Sequence, residues 1–91
     1  MRWNVRDTDS FRRSFKELPE KVRKRAKAVL PPLFEDPHAP ALRLHRLRKP
    51  LANYWAVDVD ESGTRIILRV DERKRELVLM DIGDHDVYGR F

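Results

Sequence analysis

Tyr54-Trp55-Ala56-Val57-Asp58-Val59-Asp60 decides the fold, because side-chain character alternates along it. Trp55, Val57 and Val59 fall on one face, and Tyr54, Ala56, Asp58 and Asp60 on the other, the period-2 signature of a half-buried strand. Glu61-Ser62-Gly63 supplies a turn, after which residues 64–70 alternate in the same way. Ile66, Leu68 and Val70 share one face there, and Arg65, Ile67 and Arg69 the other. Asp71-Glu72-Arg73-Lys74 turns again, into an apolar run over 76–82 that stops at Gly83. Connections this short demand antiparallel hairpins, since a parallel crossover needs about a dozen residues or more.

Upstream of the strands the period changes. Residues 2–6 alternate Trp3 and Val5 with polar neighbours and read as a short strand, followed by three potential helix N-caps, Asp7, Thr8 and Asp9. Phe11, Phe15 and Leu18 recur at helical spacing and give a short helix one apolar stripe. Pro19 ends it and can open a second helix, being tolerated at a first helical position. Val22, Ala26, Val29, Leu30 and Leu33 form the second helix's apolar face, while Lys21, Arg23, Lys24, Arg25 and Lys27 dominate the rest. Because Pro31 and Pro32 lack N–H donors, the regular helix is expected to stop near Val29 or Leu30, or to add one turn through Phe34. The expected architecture is α+β in the order β-α-α-β-β-β, a single domain over 1–91. A twisted antiparallel sheet carries a two-helix hairpin on one face. Trp55, Val57, Val59, Ile66, Leu68 and Val70 pack under the helices, and Asp58, Arg65 and Arg69 share the opposite, open face.

Composition narrows the class. Ninety-one residues, 41% of them apolar, suffice for one modest core, and 38% charged residues make a heavily ionised surface. There is no cysteine, so neither disulfides nor a Cys-type zinc site can support the fold. No signal-peptide pattern follows Met1, and no run nears the ~18 apolar residues that span a bilayer. A cytoplasmic protein without membrane contact is expected. Charge is unevenly spread: residues 1–49 hold 14 Lys/Arg against 6 Asp/Glu, and residues 50–91 hold 6 against 9. Such a basic half favours phosphates or acidic partners, or merely solubility.

Two stretches carry candidate chemistry. Residues 41–50 read Ala-Leu-Arg-Leu-His-Arg-Leu-Arg-Lys-Pro, with Arg43, His45, Arg46, Arg48 and Lys49 free of any acidic neighbour. The chain's end, Ile82-Gly83-Asp84-His85-Asp86-Val87-Tyr88, releases a histidine between two aspartates where a strand terminates. The residues alone also allow purely structural roles. His85 can cap the strand end through Asp84 or Asp86, and Arg65 can simply pair with Asp58. His38, His45 and His85 show no HxH or HxxxH spacing, so no metal site is expected. No serine stands in a nucleophile context.

The helix pair, the Leu44-His45-Arg46-Leu47 segment, the 55–70 hairpin and the Ile82-Gly83-Asp84-His85-Asp86-Val87-Tyr88 ending together resemble the RelE/ParE toxin superfamily. The nearest likeness is to RelE-type and YafQ-type mRNA interferases of type II toxin–antitoxin modules. The resemblance implies a ribosome-dependent endoribonuclease, without metal or other cofactor, in which an RNA 2′-hydroxyl attacks the adjacent phosphate. It implies phosphate stabilisation by Arg65, general acid catalysis by His85 and general base catalysis by His45. Arg46, Arg48, Lys49, Arg69 and Tyr88 would contact RNA, with Asp58 and Asp86 in support. It further implies a cognate acidic antitoxin, and action on mRNA in the ribosomal decoding site. Two other members of the same resemblance stay open: a non-enzymatic ParE-like toxin acting on DNA gyrase, and an inactive RNA-binding relative. The chain departs from the family where Pro50-Leu51-Ala52-Asn53 replaces the common glycines and where Asp84 replaces a common threonine.

Overall fold

The computed structural model describes residues 2–91, apart from the side chains of His85 and Arg90. In chain order the elements are β1 (Asn4–Asp7), α1 (Asp9–Glu17), α2 (Glu20–Glu35), β2 (His45–Arg46), β3 (Trp55–Asp58), β4 (Arg65–Asp71) and β5 (Glu76–Gly83). A 3-10 turn, Pro40–Leu42, precedes β2, and a 3-10 segment, His85–Arg90, follows β5. Among the described residues the strands form one five-stranded sheet in the order β1-β5-β4-β3-β2. The hairpins β2–β3, β3–β4 and β4–β5 are antiparallel, as the short connections require.

The sheet is not antiparallel throughout. β1 joins its far edge parallel to β5, with Val5 beside Leu77 and Asp7 beside Leu79. The helix pair between β1 and the hairpins is the long crossover that a parallel pairing needs. A second departure is β2, a two-residue strand at the other edge that places His45 opposite Ala56.

Thr8 joins the layers. Its side-chain oxygen accepts from the Phe11 N–H at 3.1 Å and so caps α1, and its hydroxyl donates toward the carbonyls of Leu79 and Met80 at 3.0 and 3.1 Å. Those carbonyls belong to a β-bulge. Ile67 pairs with Asp81 and Leu68 with Leu79, leaving Met80 as the extra residue. Simple alternation would aim Leu77, Leu79 and Asp81 at the helices and Ile82 away from them. The bulge resets the parity, so Leu77, Leu79 and Ile82 all enter the core and Asp81 falls opposite Ile67 on the other face.

The core under the helices contains Phe11, Ala26, Leu33, Val57, Val59, Ile66 and Leu68, with Trp55 and Val70 packed at its border. α2 continues through both prolines to Glu35 rather than stopping near Val29. Pro31 and Pro32 lie on its exposed side, while Leu33 is fully buried and Phe34 half-buried. The Phe34 carbonyl accepts from the Trp3 N–H at 2.9 Å, which fastens the helix end to the start of the chain. No described helix is long and apolar enough to cross a membrane.

Candidate functional site

The face away from the helices was expected to be open. Its middle is covered instead. Ala56, Ile67 and Val87 are each 0% exposed and form a second apolar cluster, bordered by Leu47, Tyr54, Met80 and Tyr88. The C-terminal 3-10 segment supplies this cover. Asp84 starts it by accepting from the Asp86 N–H at 2.9 Å, and the Val87 N–H donates to the Asp84 carbonyl at 2.9 Å. Asp86 is thereby a capped backbone donor, and its side chain is exposed. The backbone of His85 begins the segment directly after β5, and the side chain expected to act there lies outside the described residues.

On one flank of this cover stands Arg65. Its Nε donates to Asp58 Oδ1 at 3.1 Å across the β3–β4 pair, and both side chains are about three-tenths exposed (32% and 27%). Arg43 shares the same carboxylate, Nε to Oδ2 at 3.5 Å. Burial disfavours the charge on Arg65, but the influence of neighbouring Tyr88 and of Asp58 outweighs that cost and lifts its pKa above the ordinary guanidinium value. Arg65 is a partly buried cation paired with Asp58. A cleft of about 440 Å³ opens beside it, lined by Arg25, Arg43, Asp58, Asp60, Glu61 and Arg65.

His45 sits on the same face. It is opposite Ala56, which is opposite Ile67, two residues from Arg65 along β4. Sheet spacings put the two Cα atoms about 12 Å apart. The His45 ring is exposed, and its Nδ1 lies 2.9 Å from the Arg43 carbonyl oxygen. A carbonyl only accepts, so Nδ1 carries the proton and, in the neutral ring, Nε2 holds a lone pair. The glycine-free connection after β2 does not displace it: Leu47 N–H donates to the Tyr54 carbonyl at 3.0 Å, keeping β2 in register to its end.

Tyr88 bridges two environments, the Arg65 guanidinium and an apolar groove of about 310 Å³ shared with Leu47, Arg48 and Leu51. The remaining expected contacts are more dispersed. Arg46 lies over the Trp55 ring at 5.4 Å, in the row that faces the helices. Arg48 and Lys49 are exposed on the β2–β3 loop. Arg69 is on the same face as Arg65 but four residues along β4, about 13 Å away. Buried Ile67 stands between them, and Arg69 opens into a separate cleft with Arg6, Asp71, Glu72 and Glu76. The structure thus groups Arg65, Asp58, Tyr88 and, at the edge, His45, and sets Arg46 and Arg69 apart.

Sequence reasoning passed over Arg43 as anything more than one cation in a basic run. It adopts a left-handed backbone, φ 55° and ψ 43°, which costs a non-glycine residue about 1–2 kcal/mol. No residue pattern announces such a kink. The second cluster did leave a trace, since apolar Ala56 and Ile67 occupy positions that alternation assigns to solvent.

No family model matches the chain, and no curated protein matches it in sequence. Solved structures do match in shape. RelBE2, a toxin–antitoxin complex from Mycobacterium tuberculosis, aligns over 93% of this chain and 100% of that one, with TM-score 0.71 and 22% identity. YafQ from E. coli strain BL21(DE3) aligns over 94% and 97%, with TM-score 0.75 and 13% identity. A YoeB/ParE toxin from Agrobacterium tumefaciens aligns over 90% and 98%, with TM-score 0.71 and 15% identity. The chain has the fold of the RelE/ParE toxin superfamily. Within that fold it is similar in shape to RelE, YafQ and YoeB/ParE chains alike.

Proposed function

We propose that this protein is the toxin of a type II toxin–antitoxin module and an endoribonuclease that cleaves mRNA in the ribosomal decoding site. The observation that carries the reading is the Arg65 cation, paired with Asp58 on the face where His45 turns its Nδ1 to the Arg43 carbonyl, so that a neutral ring presents Nε2 as an acceptor. His45 takes the proton of an RNA 2′-hydroxyl as O2′ bonds to the adjacent phosphorus. Arg65 stabilises the charge that builds on the phosphoryl oxygens, a preorganised electrostatic contribution of about 10²–10³-fold. As the P–O5′ bond breaks, His85 protonates the leaving oxygen, giving a 2′,3′-cyclic phosphate and a 5′-hydroxyl. A phosphodiester fits the roughly 12 Å between the His45 and Arg65 backbones once both side chains extend toward it. Tyr88 and the groove beside Leu47 and Leu51 offer a base an aromatic and apolar wall.

The partner would be an acidic antitoxin, in keeping with the chain's +5 charge and with the toxin–antitoxin complex among its structural neighbours. A cytoplasmic setting follows from the same reading. Mapping mRNA 5′ ends after induced expression of the wild type, His85→Gln and Arg65→Ala tests the activity. Codon-phased cuts in the wild type that vanish in both variants are expected; growth arrest that survives both substitutions would sink the nuclease assignment. The YoeB/ParE likeness favours one second reading, a ParE-like toxin that binds DNA gyrase. Cleaved DNA accumulating beside intact mRNA would mark that outcome.

A further inference from the structure

We infer that Arg43 is a positioning residue for the base, acting through its left-handed backbone rather than its guanidinium: its carbonyl holds His45 in the Nδ1–H tautomer. The role in catalysis rests on the ribonuclease reading; the tautomer itself does not. Arg43 caps the Pro40–Leu42 turn at φ 55° and ψ 43°, and its N–H donates to the Pro40 carbonyl at 3.2 Å. The kink is clamped on both sides. Leu42, 5% exposed, and half-buried Leu44 both pack into the main core. That conformation turns the Arg43 carbonyl onto His45 Nδ1, two residues on, at 2.9 Å. Meanwhile β2 fixes the His45 backbone against Ala56. An extended or right-handed Arg43 would swing the carbonyl away and release the ring to put its proton on either nitrogen. A ring protonated at Nε2 presents a donor where the 2′-hydroxyl needs an acceptor.

The guanidinium has a lesser part. It is 76% exposed, and its 3.5 Å approach to Asp58 is a solvent-side ion pair of the kind that contributes little. Arg65 holds the same carboxylate more closely, at 3.1 Å, without help.

Arg43→Gly removes the steric penalty on the left-handed backbone and deletes the guanidinium, whereas Arg43→Val keeps an N–H and disfavours that backbone. Long-range ¹H–¹⁵N correlation spectra of the free protein report the His45 tautomer directly. The wild type and Arg43→Gly should show Nδ1–H, and Arg43→Val a mixture or Nε2–H. On ribosome-bound mRNA, Arg43→Gly should keep kcat within about threefold, and Arg43→Val should lose on the order of tenfold in kcat with KM little changed. An Nε2–H wild type, an unchanged tautomer in folded Arg43→Val, or a Gly variant as impaired as the Val variant overturns the inference. Should Arg43→Val not fold, the wild type and Arg43→Gly still decide it by their tautomers and kcat. A wild type that holds Nδ1–H but cuts no RNA refutes the ribonuclease reading and leaves the Arg43 geometry standing.

Discussion

The two faces of the sheet are built by different rules. Toward the helices, burial selects every second residue, and Val57, Ile66, Leu68, Leu77 and Ile82 are all 1% exposed or less. On the other face a small cluster of Ala56, Ile67 and Val87 is closed by a segment that arrives only after the last strand. The first face stabilises the fold and the second arranges charge. On that face the apolar floor of Ala56, Ile67 and Val87 seats Tyr88, the residue from the C-terminal segment that helps keep Arg65 charged. The comparison predicts that truncations on the two faces will separate stability from activity.

The largest effect belongs to the helix side. Leu68→Ala removes a fully buried side chain from the central strand and should cost about 2–5 kcal/mol by urea unfolding. For a 91-residue domain of ordinary stability, that is a large part of the total. Val87→Ala, equally buried on the other face, removes less and should cost about 1–2 kcal/mol. On the ribonuclease reading proposed above it should nevertheless lower cleavage on the order of tenfold, because Tyr88 follows Val87 and loses its seat beside Arg65. If Leu68→Ala lowered activity of the folded protein more than Val87→Ala, the division of labour between the faces would be wrong.

Alternation made the helix side legible from sequence: Trp55, Val57, Val59, Ile66, Leu68 and Val70 all pack against the main core. Short turns gave the hairpins in the same way. What periodicity cannot carry is a relation between distant segments. Val5 beside Leu77 in parallel is one such relation, and Val87 over Ile67 is another. The bulge at Met80 is a third kind of omission. It is a count of residues, not a type, and Thr8 stabilises it from more than 70 positions away in sequence (separations of 71 and 72). For the site, the Asp58–Arg65 pair could be read because both residues occupy polar positions on adjoining strands. The shared use of Asp58 by Arg43, and the turn of the Arg43 carbonyl onto His45, depend on one backbone angle that no pattern encodes.

A smaller effect tests the β3–β4 turn that carries the Asp58–Arg65 rung. Asp60 Oδ1 accepts from Ser62 N–H, Ser62 hydroxyl and Thr64 N–H at 3.1, 2.9 and 3.0 Å. Burial alone would raise its pKa, but these donors outweigh it and set the value below the ordinary 3.8. A carboxylate depressed on folding adds stability above its unfolded pKa and loses it as pH falls through the folded value. Asp60→Asn, which keeps an acceptor without the charge, should therefore cost about 1 kcal/mol at pH 7. The difference should shrink as pH drops below the unfolded pKa of 3.8 and be mostly gone beneath the folded one, by urea unfolding across that range. A gap that held constant into acid would mean the charge contributes nothing.

The smallest effect bears most directly on how the outer face is divided. Arg69 and Arg65 share a strand face, and a single open cleft would make them partners on one RNA. Buried Ile67 lies between them, and Arg69 faces a separate cleft that it shares with Arg6, Arg73, Asp71, Glu72 and Glu76. The removal of Arg69 should thus leave kcat within about twofold and at most lower the salt dependence of RNA binding by under one phosphate contact. Arg65→Ala should instead lose about 10²–10³-fold in kcat. If the proposed ribonuclease reading holds, measuring both variants across salt concentrations separates a reacting-phosphate contact at Arg65 from a distant charge at Arg69, because screening weakens the second and barely touches a partly buried first. An Arg69→Ala loss comparable to that of Arg65→Ala would require RNA to cross the Ile67–Val87 patch, and the C-terminal segment would then have to leave that patch when RNA binds.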